Sequence, residues 1–218
     1  MVNKIGVITD FKNINDKYLL LSLKLEERIE YRAGQYIIVI FSDRLRRSYS
    51  ISSYNEEDLV ITLAVKLDDG EGATSLKHMK IHNRLNFLGP IGNFFYRDNS
   101  TIPVFIATGI GITPINSIIE YLSKNNKSDF KLFWGVRDKS DFIFDFSHLG
   151  KKFIPVVSKD TDITYNNGHV TDFIQDNLDG VENKDFYICG DPDIVNSIKS
   201  YIESNLYVDK ESIYTEKF

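Results

Sequence analysis

Over the first hundred residues, apolar and polar positions alternate in short runs broken by turn residues. Residues 4–11 (KIGVITDF), 18–25 (YLLLSLKL), 35–41 (QYIIVIF), 48–53 (SYSISS) and 59–66 (LVITLAVK) each read as a strand. The helical candidate among them is 74–80 (TSLKHMK), so the pattern predicts an antiparallel barrel or sandwich. Residues 85–96 (LNFLGPIGNFFY) read as a strand, a Gly-Pro turn and a second strand.

From residue 101 the texture changes. Residues 101–109 (TIPVFIATG) form a continuous apolar run, as expected of a strand covered on both faces. A Gly-rich turn follows, then 114–124 (PINSIIEYLSK), where Ile115, Ile118, Ile119 and Leu122 share one helical face behind Pro114. The alternation repeats as strand 129–136, helix 140–150, strand 152–158, helix 170–178, strand 185–190, helix 192–205 and strand 212–218. Strands alternating with helices predict crossover connections and a mostly parallel sheet. Two domains are therefore expected: an antiparallel β-barrel over 1–99 and an α/β parallel-sheet domain over 100–218.

Composition narrows the class. Of 218 residues, 42% are hydrophobic and 26% charged, which is ordinary for a globular chain able to bury a core. The net charge of −5 argues against general nucleic-acid binding. The first residues carry no apolar signal-peptide core, and no run has the length of a membrane span, so a cytoplasmic protein with no membrane partner is expected. The one cysteine, Cys189, excludes an internal disulfide framework and a Cys-ligated cluster within these residues. The histidines lack carboxylates or cysteines spaced to complete a metal site, so no metal is expected.

In an open parallel sheet, ligands bind beyond the carboxyl ends of the strands. Several segments fall there. In 107–114 (ATGIGITP), Gly109 and Gly111 leave room for a backbone turn before a helix, a place for a pyrophosphate, with Thr113 as an added hydroxyl donor. Arg137 follows a strand end, where it could meet a ribose or phosphate. Ser158 and Lys159 leave another, where a hydroxyl beside a cation suits the 2′-phosphate of NADPH. Cys189 and Gly190 end a strand before a helix that starts with a proline, a position from which a cysteine can pack beside a nicotinamide. Each has a plainer reading too: a tight turn, a solvated loop cation, a small buried hydrophobe.

In the β half, 44–53 (RLRRSYSISS) places arginines at the start of a strand. Arg47 and Tyr49 share a face because strand residues two apart do so, while Ser48 and Ser50 take the other. Residues 70–79 (GEGATSLKHM) place Gly70 and Gly72 before a helix start, with Thr74 and Ser75 as early-helix residues. Together these could hold a phosphate between Arg47 and a helix N-terminus, with a flat ring on Tyr49. That is the layout of a flavin platform.

These motifs give the chain a resemblance to the ferredoxin–NADP reductase family. RSYS (47–50) resembles its flavin motif, GQYIIV the strand before it, and GEGATS the turn and helix that hold flavin phosphates. LGPIGNF, ATGIGITPINSII and YICGDP resemble its later motifs in order and spacing, so the match covers essentially the whole chain. The resemblance implies a six-stranded antiparallel flavin barrel followed by a five-stranded parallel sheet. It implies that Arg47 binds flavin phosphate, Tyr49 stacks on the ring, Ser50 hydrogen-bonds near its reactive N5 with Ser48 beside it, and Gly72, Ala73 and Thr74 cap the phosphates. It implies that Thr108, Gly109 and Thr113 line the nicotinamide nucleotide, with Arg137, Ser158, Lys159 and Gly190. Ser50, Cys189 and Glu216 would serve hydride transfer, and Phe218 would cover the flavin face opposite Tyr49 and move when nicotinamide enters. Thr74 stands where a serine is common, and Lys159 where NADPH-preferring members often carry arginine, a point charge in place of a fork.

The implied function is an NAD(P)H-dependent flavoprotein oxidoreductase. FAD is the expected cofactor, with FMN as the alternative, and NADPH or NADH is the donor. Electrons would pass to a separate acceptor, a ferredoxin or flavodoxin or an oxygenase component. The cationic stretch 77–84 (KHMKIHNR) is a candidate docking surface for an acidic carrier, or simply a solvated face. A free-flavin reductase is the alternative enzyme. A non-catalytic nucleotide-binding partner subunit is the alternative of another class, and the presence of both sets of motifs argues against it.

Overall fold

The computed structural model describes residues 3–159 and 165–218. The chain separates into two compact units: residues up to Tyr96 together with Asn116–Asn125, and Arg97–Ile115 together with Asn126–Phe218.

The first unit is built on strands β1 (Asn3–Ile14), β2 (Tyr18–Leu25), β3 (Tyr36–Ile40), β4 (Arg46–Asn55), β5 (Val60–Lys66) and β6 (Arg84–Ile91), with the short helix α1 (Glu71–Lys77) between β5 and β6. They close into an antiparallel barrel of order β1-β2-β5-β4-β3-β6. Alternate residues point inward, and Ile8, Leu21, Leu23, Ile37, Val39, Ile51, Leu63 and Phe87 fill the interior. β4 changes neighbour along its length. Arg46–Ser50 pair with β3, whereas Ile51–Asn55 pair with β5 across a bulge between Ile51 and Ser53. Residues Arg46–Ser50 thus have strand pairing on one side only.

The second unit holds β7 (Ile102–Thr108), α2 (Ile112–Lys124, whose later residues cluster with the barrel unit), β8 (Lys131–Val136), β9 (Phe153–Val157), β10 (Asn166–Asn167), α3 (Thr171–Ile174), β11 (Lys184–Gly190), α4 (Pro192–Asn205) and β12 (Ile213–Lys217). The sheet is parallel, in the order β10-β9-β8-β7-β11-β12. The chain runs outward from β7 to one side and then jumps back to β11, so the order reverses between β7 and β11. That reversal is the switch point where open parallel sheets bind ligands. α4 starts where its sequence dictates: Asp191 caps it, accepting from the N–H groups of Asp193 and Ile194, and Pro192 opens the first turn.

The architecture agrees with the expected barrel followed by a parallel sheet, with local departures. The sheet has a sixth strand among the described residues, the two-residue β10. No α-helix forms over 140–150. Phe142, Phe144 and Phe146 recur every second residue and surround Trp134, with ring centroids at 4.9, 6.5 and 5.9 Å, so 3₁₀ turns and extended chain replace a helical face. Residues 85–91 form one strand that continues through Gly89–Pro90, because a register shift opposite Tyr36–Ile38 absorbs the pair; residues 93–96 lie outside any strand. α1 begins three residues before the expected start of 74, and the helix expected over 170–178 is the four-residue α3 continued by a 3₁₀ turn.

Candidate functional site

In the barrel unit, the structure brings the arginine-tyrosine strand and the Gly-rich turn together. Gly72, in the first turn of α1, lies over β4: a Cβ there would stand 2.7 Å from Arg47 Cγ and 2.7 Å from Tyr49 Oη. Any larger residue would force the Arg47 stem, the Tyr49 hydroxyl or the turn itself to shift. Tyr49 is half-buried, with Phe41 edge-on at 6.5 Å, and burial pushes its phenol up to about 12 against the opposing pull of Arg47. It is therefore a neutral aromatic surface at any working pH. Arg47 is exposed, donates to the Arg46 carbonyl at 2.8 Å and stands 3.6 Å from the Glu71 carboxylate, an exposed pair of little energetic weight that a phosphate can displace. α1 has no side-chain cap, since its N-cap is Gly70. Ala73 is buried, Thr74 exposed, Ser48 exposed and Ser50 buried. A cation, a ring and a strand edge with no pairing partner thus converge where a Cβ-free turn approaches, which fits a phosphate-bearing flat ring.

In the sheet unit, the expected residues gather at the switch point. Gly111 faces the end of β11 so closely that a Cβ would overlap the Cys189 carbonyl and stand 2.7 Å from Gly190 Cα. Trp134 Nε1 donates to the Gly109 carbonyl at 2.9 Å and fixes the turn from below. The sequence reading missed this residue, although a lone tryptophan inside a predicted strand was the available signal. Thr113 is buried, and its hydroxyl donates to the Ile110 carbonyl at 2.8 Å, which braces the turn.

Cys189 pairs in register with Glu216 across β11 and β12. Cys189 is fully buried, and its thiol is pushed well above its usual range, first by burial and then by the Glu216 charge, so it is no thiolate nucleophile. Burial also raises the Glu216 carboxyl to about 7. Glu216 Oε2 on β12 and Thr108 Oγ1 on β7, on either side of β11, are buried with no hydrogen-bond partner in the structure. Buried polar atoms are rarely left so, and two at one sheet edge mark a ligand position. Exposed Phe218 follows, its N–H donating to the Gly190 carbonyl at 3.2 Å.

Arg137, Ser158 and Lys159 also meet. The Lys159 N–H donates to the Arg137 carbonyl and the Ser158 N–H to the Val136 carbonyl, each at 3.0 Å, and all three side chains are exposed at the ends of β8 and β9. The stretch 77–84 is exposed apart from Met79, which packs against the barrel core, and two of its cations are engaged: Arg84 with Glu26 at 2.6 Å and Lys77 with the Asp68 carbonyl at 3.3 Å. Among the described residues, no group of histidine, cysteine and carboxylate side chains could hold a metal, and no helix is long and apolar enough to cross a membrane.

Comparisons with known proteins assign a family to each half of the chain. Residues 6–96 match the oxidoreductase FAD-binding domain and residues 105–200 the oxidoreductase NAD-binding domain. The chain is 32% identical, over 81% of its length and 57% of the relative's, to the CDP-6-deoxy-L-threo-D-glycero-4-hexulose-3-dehydrase reductase of Yersinia pestis. It is 28% identical, over 90% of its length and 63% of the relative's, to the reductase subunit of an aromatic O-demethylase of Amycolatopsis sp.. The chain thus spans about three fifths of the length of such curated relatives. In fold it resembles the FAD/NAD-binding domain of nitric oxide dioxygenase from Vibrio cholerae (TM-score 0.88, 22% identity, 99% of this chain and 98% of that one). It also resembles a ferredoxin NADP+ reductase from Neisseria gonorrhoeae (TM-score 0.83, 18% identity, 99% and 98%). With a flavin-binding barrel and a nicotinamide-nucleotide sheet in that order, the chain belongs to the ferredoxin–NADP reductase-like family of FAD- and NAD(P)-dependent oxidoreductases.

Proposed function

We propose that this protein takes hydride from NAD(P)H and passes electrons, in a cytoplasmic setting, to a separate redox protein, a ferredoxin, a flavodoxin or an oxygenase component. Residues 1–99 would serve as the flavin domain and 100–218 as the nucleotide domain. The observation that carries the reading is the close seating of Gly72 on Arg47 and Tyr49, which brings the start of α1, a cation and an aromatic ring together. Relatives named as reductases of a deoxyhexulose dehydrase and of an O-demethylase system support a macromolecular acceptor.

The bound flavin supplies the exchange between a hydride and single electrons. The chain's own residues bind and orient. Arg47 neutralises phosphate, Gly72, Ala73 and Thr74 cap it through α1, and Tyr49 supports the ring, with Ser48 and Ser50 along its edge. Thr108, Gly109 and Thr113 form the nucleotide turn; Arg137, Ser158 and Lys159 face the adenosine ribose or its 2′-phosphate. Cys189 and Gly190 pack beside the nicotinamide. Glu216 holds a proton near neutrality, at an oxygen that has no other partner, and Phe218 yields to the incoming ring. Covalent catalysis by Cys189 is not part of the reading, since its thiol stays protonated.

The test is the visible spectrum of the purified protein before and after anaerobic NADPH, with NADH in parallel and a one-electron acceptor protein added last. A flavin band that bleaches and then recovers supports the reading. Bleaching only when free FAD or FMN is supplied would favour the free-flavin reductase, and no response at all would sink the enzymatic reading. Tyr49→Ala is expected to weaken FAD retention about tenfold, an order of magnitude set by the loss of a stacked aromatic worth about 1–1.5 kcal/mol. Fluorescence titration of the apoprotein checks it, and unchanged affinity removes Tyr49 from the ring. Lys159→Ala is expected to raise the KM for NADPH about tenfold and leave that for NADH within about twofold, because only the former carries the extra phosphate. Equal changes would take Lys159 out of the 2′-phosphate site.

A further inference from the structure

α2 is read from its sequence as an amphipathic helix whose apolar face holds Ile115, Ile118, Ile119 and Leu122. That reading leaves Asn116 with no task, yet Asn116 is buried. Its Nδ2 donates to the carbonyl of Ser52, itself 1% exposed, at 3.1 Å. Ser52 lies at the bulge of β4, between Ile51 and Ser53, where the ladder with β5 loses register and the pairing with β3 has already ended. A buried carbonyl at such a point has no ladder partner to rely on and is costly to leave unpaired.

The neighbouring groups show that the contact is built. Glu120 Oε1 accepts from the same Nδ2 at 3.2 Å, which orients the amide so that its donor side faces the strand. One position along α2, Ser117 Oγ accepts from the Gly34 N–H at 2.9 Å, in the turn before β3. Two turns beyond Asn116, Lys124 Nζ donates to the Tyr54 carbonyl at 3.3 Å. These helix residues belong to the same compact unit as the barrel. α2 therefore lines the stretch of β4 where β3 stops, with side chains in place of a strand.

We propose that Asn116 is a positioning residue for the flavin-binding strand: its amide replaces the missing ladder partner at the Ser52 bulge and thereby holds Ser50 and Tyr49 where the ring requires them. The inference rests on the reading of Ser50 and Tyr49 as flavin contacts. Ser50 is two residues from Ser52 along the same strand, so a shift of the bulge is transmitted directly to it. A displaced Ser50 alters the ring's edge contacts without touching the nucleotide turn.

The experiment compares Asn116→Leu, Ser117→Ala and Ser50→Ala with the parent chain, each stripped of flavin and titrated with FAD by fluorescence, with the absorption spectrum and steady-state constants measured on the reloaded proteins. Asn116→Leu is expected to raise the FAD dissociation constant about tenfold, to shift the flavin absorption band and to lower kcat with little change in the KM for the nucleotide. Ser117→Ala removes the contacts of the same helix with the Gly34 N–H and the Tyr31 hydroxyl but leaves the Ser52 carbonyl paired, and is expected to lower the melting temperature with FAD affinity within about twofold of the parent. Equal effects of the two variants on FAD affinity, or an unchanged spectrum and affinity in Asn116→Leu, would overturn the proposal. If Asn116→Leu does not fold, Asn116→Ser, whose hydroxyl is too short to reach Ser52, is read by the same criteria. Ser50→Ala separates the two layers. If it too changes nothing, the flavin-contact reading itself fails; if it weakens FAD while Asn116→Leu does not, only the role of Asn116 is lost.

Discussion

Gly111→Ala is expected to lower the melting temperature by about 6–12 °C, the result of about 3 kcal/mol of overpacking at about 2–4 °C per kcal/mol in a chain of this size. The cause is backbone meeting backbone. A Cβ at Gly111 would overlap the Cys189 carbonyl and stand 2.5 Å from its carbonyl carbon, so no rotamer change relieves it. Either the turn after β7 or the end of β11 must move. Both carry residues of the nucleotide site, so the KM for NADPH and NADH is expected to rise together, unlike the selective effect at Lys159. Calorimetry of the apoprotein checks stability, and steady-state kinetics checks the site. A variant as stable as the parent, with unchanged KM, would show that the approach of β11 to the turn is looser than the structure has it.

Glu216→Gln is expected to stabilise the protein above neutrality and to flatten its pH dependence. The parent carboxyl is raised from 4.5 to about 7 by burial. Between those values the folded state holds a proton that the unfolded chain has released. Stability therefore falls as pH rises through this window and levels off above it. Glutamine has no proton to lose, so the variant gains relative to the parent as pH rises, by about 2 kcal/mol above neutrality once partial exposure is discounted, and the gap closes near the unfolded carboxylate value. Denaturant titrations across the window check the sign, and parallel curves for the two proteins would remove Glu216 as the titrating group. In turnover, an inflection near the raised value is expected in the parent and absent in the variant. Burial first of all keeps the register partner Cys189 a thiol, and a charged Glu216 beside it adds to the cost of a thiolate.

Much of the fold is legible along the chain because its elements carry local signals. α4 is bounded by an Asp-Pro start and a period of apolar residues, and the structure places it at Pro192–Asn205, as expected over 192–205. β2 matches its alternating run at Tyr18–Leu25. The aromatic run at 140–150 misleads because a helix and an extended chain wrapped round Trp134 both bury it. The difference is made by a ring contributed by β8, and local spacing does not contain that contact. Gly89–Pro90 misleads for a related reason. The pair reads as a turn, and a register shift against Tyr36–Ile38 of the barrel absorbs it as strand.

The candidate site divides the same way. Residue types and short-range order, Arg47 with Tyr49, Gly109 with Gly111, Cys189 with Gly190, are properties of the sequence, because strand period and glycine's missing side chain act over a few residues. What these groups meet is decided at long range: Gly72 on Arg47 and Tyr49, Gly111 on Cys189, Glu216 beside Cys189, Asn116 on Ser52. Burial, orphaned oxygens and raised carboxyls arise only when chain segments far apart in sequence exclude water from one another. The chain by itself therefore determined the elements and the chemical vocabulary of the site; the tertiary structure alone decided which groups share a dielectric, a hydrogen bond or a steric limit.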